Sequence, residues 1–342
     1  MKIALMSGAY KNAGDFLIEK RSKEVLQYGY PEAEITIFKR NISYNDRIDE
    51  LNSYDAIVFG GGPGFQKNIY PDRTPFVSNL EDIKIPCAVL GWGWKGKNIR
   101  NETIYKKNRF TPEMYNFISF LNKPGNSISC RDWYTVQMLN DQGFKGVTMT
   151  GCPAWYEVGM VKDLKYKGCT LGNSDTPYII VSDAAFPKNT KYTGKLIEII
   201  REKFPKARIK LLLHRGITDD NKYLTESEFT GKLNYEFEDI SGSAAGFAQY
   251  DDCDLHIGFR VHAHIYNLSH GNTTILINED ARGFGVNGIM GLPDISIDKY
   301  LKKNINTHID DVINSKGIMY CASSEVIKNH FIRMQEFVKG IV

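Results

Sequence analysis

Residues 252–271 read DCDLHIGFRVHAHIYNLSHG. A short apolar run, DLHIGF, comes first. Val261, Ile265 and Leu268 then recur at i, i+4 and i+7, the spacing of one helix face. Gly271 stands where such a helix should stop. The stretch is therefore a strand feeding a helix, with Arg260 and His262 at the joint. It also holds four of the chain's seven histidines.

The same alternation extends outward. Before it come the strand PYIIVSD, a helix over Thr193 to Phe204, the strand ARIKLLLH and the helical SGSAAGFAQYD; after it comes the strand TTILIN. Nearer the start, KIALMS, EITIF, DAIVFG, CAVLGWG, SISCRD and VTMTGC read as short strands. Helices are expected over Asp15 to Tyr28 and from Trp133 to Gln142, the second ending at Gly143. Strands alternating with helices give a parallel sheet covered on both faces. The turn-rich GCTLGNSDTP, residues 168–177, separates the two sets. The division is thus a first domain over 1–167, a second over 168–322 and a terminal helix over 323–342. The fold class is α/β, with two doubly wound domains facing a cleft. In such sheets ligands bind outside the carboxyl ends of the strands.

Composition narrows the function. The 342 residues carry 43 basic and 40 acidic side chains, a balance of +3 that argues against nucleic acid as a partner. No apolar run approaches the roughly 18 residues of a membrane span. The apolar core of MKIALMSGAY is shorter than the about 7–15 residues of a signal peptide, so a cytoplasmic protein is expected. The six cysteines show no Cys-x-x-Cys pair and read as buried, reduced fillers.

Three glycine-rich loops can be tested. Gly60 to Gly64 lacks the first, third and sixth glycines of a dinucleotide fingerprint, and reads as a tight turn in which Gly61 and Gly62 line the cleft. Gly91 to Asn98 nearly matches a phosphate loop, but Asn98 replaces the hydroxyl that would hold magnesium, and Trp92 and Trp94 are bulky. Asn12-Ala-Gly14-Asp15 leads from the first strand into a helix. There Asp15 either complements the helix dipole or faces the cleft.

Arg260-Val-His262-Ala-His264 admits three readings. As a metal site it fails on a helix, where His262 and His264 point about 200° apart. His256, His264 and His270 suit packing or capping roles. Arg260 and His262 suit an anion site, because the first turn of a helix offers free N–H groups and arginine adds a bidentate fork. The same dipole should keep His262 neutral until an anion arrives and lets it act as an acid. Arg131 and Arg282 follow other strands on the ligand side, and a surface arginine can equally be a solvated charge. Together with Arg260 they suggest a cleft for a small, highly charged anion.

These segments resemble the polysaccharide pyruvyl transferase family. The resemblance runs through Asn12-Ala-Gly14-Asp15, YDAIVFGGG, SISCRD with Thr135, Leu139 and Gly143, TGCPAW, DLHIGFRVHAHIYNLSHGNTTILI and ARGFG. Phe259 stands where many relatives carry a small residue. The resemblance implies two Rossmann-like domains in the GT-B style. It also implies transfer of the pyruvyl group of phosphoenolpyruvate onto two hydroxyls of a sugar, forming a ketal and releasing phosphate. It matches the family's functional residues at Arg131, Arg260 and His262, and more loosely at Arg282. For that chemistry His262 and Asp15 are expected in catalysis, and Arg131, Arg260 and Arg282, with Gly14, Gly61 and Gly62, in substrate binding. The implied partners are phosphoenolpyruvate and a sugar or glycan acceptor, with no separate cofactor and no metal. Trp92, Trp94 and Trp155 could stack on sugars, though packing suits them equally. A GT-B glycosyltransferase with a nucleotide-sugar donor is the alternative, since it would use the same basic cluster; a non-catalytic sugar- or anion-binding module is the third.

Overall fold

The computed structural model describes residues 1–96 and 110–342. Thirteen strands are seen among these: β1 Lys2–Ser7, β2 Glu34–Lys39, β3 Ala56–Phe59, β4 Gly62–Phe65, β5 Cys87–Trp94, β6 Ser127–Cys130, β7 Thr148–Met149, β8 Tyr178–Ser182, β9 Arg208–Leu213, β10 Glu236–Asp239, β11 Leu255–Gly258, β12 Thr274–Asn278 and β13 Ile295–Ser296. They form two sheets.

The first sheet runs β2-β1-β3-β5-β6-β7, with β4 also paired to β5. The second runs β10-β9-β8-β11-β12-β13. Every pairing is parallel. Each sheet thus has a point where the strand order reverses, between β1 and β3 in the first and between β8 and β11 in the second. The central strands explain the sequence pattern. AIVF of β3 and CAVLGWGW of β5 are buried throughout, because helices cover both faces. At the edge, EFED of β10 is exposed at every position. Its charges discourage further strand pairing, and they also hid this strand from sequence reading.

The helices start and stop where the sequence supplies caps. Asp132 accepts from the Thr135 N–H at 2.8 Å and opens the helix Trp133–Asp141. Asp280 accepts from the Arg282 N–H at 3.0 Å and opens Ala281–Met290, a helix that sequence reading did not find. The glycine loop after β3 is also more ordered than a turn, since Gly62–Phe65 continues as β4 along β5. Gly62 there takes a φ of 114°, which disfavours any side chain. Cys87, Cys130 and Cys152 are buried as expected, whereas Cys321 is exposed. Among the described residues no helix is long and apolar enough to cross a membrane.

The two sheets are tied across a seam. The Ala13 N–H donates to the His214 carbonyl at 2.8 Å, and the Gly242 N–H donates to the Lys11 carbonyl at 2.7 Å. Arg21, on the helix Ala13–Gly29, is fully buried. It donates to the Ala154 carbonyl, to Ser269 Oγ at 2.8 Å on the helix Val261–Ser269, and to Glu157 at 3.0 Å. The last helix, Met319–Lys339, returns to the first: Tyr30 Oη donates to the Val338 carbonyl at 2.6 Å. Arg21→Met should lower stability by about 3 kcal/mol, because it strands Glu157 and the acceptors around it. Urea unfolding of the two proteins checks this.

Candidate active site

The helix Val261–Ser269 begins at Arg260, its N-cap, at the carboxyl end of β11. His262 therefore sits in the first turn, half-buried and facing the seam. The helix Ala13–Gly29 begins on the other side, at the carboxyl end of β1. A Cβ added to Gly14 would lie 2.2 Å from His262 Nδ1 and 2.8 Å from its Cγ. Only glycine allows this approach. Two helix N-termini, one from each sheet, thus meet around one imidazole.

The expected residues converge here. Burial pulls the His262 pKa down to about 3, and the fields of Arg282, Arg131 and Arg260 pull the same way. Asp15, next to Gly14, has its carboxyl pKa raised by burial. A hydrogen bond from Asn12 and the charges of Arg40, Arg282 and Arg260 oppose that rise. Asp15, His262 and the three arginines therefore share one electrostatic environment across the seam. The other histidines are structural. His256 bridges Thr274 Oγ1 at 2.7 Å and Ser182 Oγ at 2.9 Å. His264 meets the same Thr274 hydroxyl at 2.9 Å. His270 bonds the Tyr266 carbonyl at 2.8 Å and stacks on the Tyr266 ring.

Each of the three arginines is held by a neighbouring aspartate, which sequence reading did not foresee. Arg131 Nε bonds Asp132 at 3.2 Å, and its Nη2 bonds the Trp94 carbonyl at 3.2 Å. Arg260 forks onto Asp183 at 2.7 and 2.5 Å and also donates to the Ala184 carbonyl at 3.0 Å. Arg282 Nε reaches Asp280 at 2.8 Å. The side chains are thereby fixed in place, and each retains Nη1 without a protein acceptor among the described residues. A guanidinium already oriented loses little freedom when an anion takes its last donor.

Lys95, at the carboxyl end of β5, also belongs here. Burial lowers its pKa, and Arg282 adds to the effect. Its signal in the sequence was the end of the apolar run CAVLGWGW. Asp183 ends YIIVS of β8 in the same way. A second basin of about 190 Å³ adjoins Arg260 and Asp183, with Lys11 and Arg215 on its walls. Gly61 and Gly62 line a smaller pocket with Asp15. Gly61 has a packing reason too, since a Cβ there would fall 2.8 Å from Pro153 Cδ.

Trp92 and Trp155 are fully buried and Trp94 is 5% exposed, so all three fill cores rather than offering a face to a sugar. Phe259 is buried in the second core, where it does not block the cleft. Lys97 and Asn98, the end of the near phosphate-loop match, lie outside the described residues. Among the described residues no group of three metal-ligating side chains gathers.

The family model for polysaccharide pyruvyl transferase matches residues 12–280. The chain belongs to that family. Arg282 lies two positions beyond the matched segment. Comparison with curated proteins finds no match. Solved structures show the fold. S. aureus MnaA, in a UDP co-structure, is 12% identical with a TM-score of 0.59, over 95% of this chain and 91% of that one. UDP-GlcNAc 2-epimerase from Neisseria meningitidis, bound to UDP-GlcNAc, is 11% identical with a TM-score of 0.58, over 97% and 100%. Anabaena Alr3699/HepE, with UDP and glucose, is 11% identical with a TM-score of 0.55, over 98% and 97%. At this identity the likeness concerns architecture alone: two parallel-sheet α/β domains of the GT-B kind.

Two outcomes test this geometry. Gly14→Ala should leave the fold intact but drive the His262 ring aside, lowering the family's transfer activity by about 100-fold, as expected for a misplacement near 1 Å. Far-ultraviolet dichroism and turnover measure the two effects. The second outcome concerns pH. His264 is buried and, like His262, held neutral down to about pH 3. The unfolded chain takes up those protons near pH 6.5. It therefore binds more protons than the native state below that pH, and stability is lost as pH falls from about 6.5 toward 3. The slope is at most about 1.4 kcal/mol per pH unit for a fully buried histidine. Urea unfolding at pH 7.5 and 5.5 should show the loss, and His264→Asn should reduce it.

Proposed function

We propose that this member of the family moves the pyruvyl group of phosphoenolpyruvate onto two hydroxyls of a sugar in a cell-surface glycan or its precursor. The observation that carries this reading is His262 packed against Gly14 across the seam, next to Asp15 and within the fields of three arginines that aspartates hold in place. Phosphoenolpyruvate brings a carboxylate and a phosphate. A cleft with free guanidinium donors and a helix N-terminus suits both.

The chemistry follows from the charges. Burial and the arginine fields favour the neutral form of His262. A bound polyanion offsets the arginine fields and raises its pKa, so the imidazole gains a proton. His262 Nε2 or Nδ1 then gives that proton to the methylene carbon of the donor. The adjacent carbon becomes oxocarbenium-like, and a sugar hydroxyl oxygen bonds to it. Asp15, kept from a low pKa by burial, takes the hydroxyl proton. The carbon–oxygen bond to phosphate then breaks, and the second hydroxyl closes the ketal. Asp15 passes the first hydroxyl proton to the departing phosphate, and the second hydroxyl proton returns to His262, replacing the one now in the methyl group. Arg131, Arg260 and Arg282 stabilise the charge on the donor and on the departing phosphate. Gly61 and Gly62 line the first-domain wall of the cleft beside Asp15 and belong to the substrate-binding surface in this scheme. No separate cofactor enters this scheme.

A thermal-shift comparison of phosphoenolpyruvate with uridine diphosphate tests it. At about 100 times its dissociation constant a ligand adds about 2.7 kcal/mol, which raises the melting temperature by about a few degrees. Phosphoenolpyruvate should give that shift, and Arg282→Ala should abolish it. A shift with uridine diphosphate alone would replace the proposal with a nucleotide-sugar glycosyltransferase. His262→Ala should retain the shift yet lose phosphate release by about 1,000-fold or more with a competent acceptor; retained release would remove His262 from the mechanism.

A further inference from the structure

Arg40 follows β2 directly and lies at its carboxyl end, with its N–H bonded to the Ser7 carbonyl at 2.7 Å. Its guanidinium lies over Gly8, where an added Cβ would fall 2.4 Å from Nη2. The carbon of the guanidinium is 5.5 Å from the centre of the Trp92 ring. Nη1 is buried and has no hydrogen-bond acceptor. Among the described residues no carboxylate comes within ion-pair distance of Arg40. Arg21, Arg131, Arg260 and Arg282 each have one, from Glu157, Asp132, Asp183 and Asp280. Arg40 is thus a half-buried cation with no carboxylate against it among the described residues.

The group faces a small pocket shared with Asp15, Ser7, Gly60, Gly61 and Gly62, with room for about one water-sized group. Asp15 acts on Arg40 through space without touching it. We propose that Arg40 receives the carboxylate of the donor, through a fork on its free Nη1 and Nη2 edge. This assignment rests on the pyruvyl-transfer reading and deepens it. The argument is one of charge and shape. An unpaired buried charge is costly, and an anion entering the pocket offsets that cost. One carboxylate oxygen fits the pocket against Nη1, and the second would lie at its open side against Nη2, the planar fork a guanidinium offers. A tetrahedral phosphate needs more room, and the wider basin of about 190 Å³ supplies Arg260, with Lys11 and Arg215 on its walls. The donor then spans the seam, with its carboxylate on the first sheet's switch point and its phosphate toward the second domain. Its reacting carbon falls between Asp15 and His262. A carboxylate beside Asp15 would also push the Asp15 pKa up, which favours proton uptake by this residue from the acceptor hydroxyl.

The experiment uses the full chain and three probes: phosphoenolpyruvate, pyruvate and inorganic phosphate, each titrated by calorimetry at fixed ionic strength. Arg40→Gln, which removes the charge and the fork, and Arg40→Lys, which keeps the charge but not the fork, are compared with wild type. Arg40→Gln should bind phosphoenolpyruvate at least tenfold more weakly and lose measurable pyruvate binding. Its phosphate affinity should stay within twofold. Arg40→Lys should fall between. Because the guanidinium lacks a counter-ion, Arg40→Gln should melt no lower than wild type, which separates lost binding from lost fold. Equal losses for pyruvate and phosphate would overturn the assignment, since they would mark a general field rather than a carboxylate site. Unchanged phosphoenolpyruvate binding in Arg40→Gln would overturn it while leaving the pyruvyl-transfer reading standing. Failure of wild type to bind phosphoenolpyruvate or phosphate would remove both.

Discussion

The closeness of His262 to Gly14 is the constraint on which the site depends. It brings the N-termini of Ala13–Gly29 and Val261–Ser269 to the same few ångströms of space. Each end carries a positive dipole, so the junction is short of negative charge. Asp15 supplies part of it from the first helix. The rest is what an anionic ligand would bring. The seam bonds from Ala13 to His214 and from Gly242 to Lys11, together with the buried Arg21, hold the two sheets at the spacing this junction requires.

Around that junction the cations divide into two kinds. Arg131, Arg260 and Arg282 are ion-paired to adjacent aspartates. The aspartates aim these arginines, whose fields still reach His262. Arg40 and Lys95 have no carboxylate partner among the described residues, so they supply the unbalanced charge. A site built this way can be both rigid and attractive to an anion. The near-neutral total of the chain, +3, gives no hint of it, because the field arises from placement rather than from composition.

Much of this was legible in the sequence. Val261, Ile265, Leu268 and Gly271 set the helix, which in turn set the positions of Arg260 and His262. The alternation of apolar runs and helical spacing gave both parallel sheets. What was hidden depended on the third dimension. Asp183, Lys95 and Arg40 each stand directly after a strand, a position that marks the ligand side only once the strand order is known. The charges of EFED masked an edge strand, since edges need no apolar face on both sides. The ARGFG segment concealed a helix because its glycines are poor helix formers; Asp280 caps it, and tertiary packing holds the rest. Trp92 and Trp155 are plausible sugar platforms by type alone, and only burial shows that they are core.

The central claim is that an anionic donor converts His262 from a neutral ring into an acid. Nitrogen-15 resonances of the His262 imidazole, recorded at pH 7 with and without saturating phosphoenolpyruvate, test this most directly. The account predicts a neutral tautomer in the free protein and an imidazolium in the complex. A ring that is charged before the ligand arrives, or stays neutral after it binds, would contradict it.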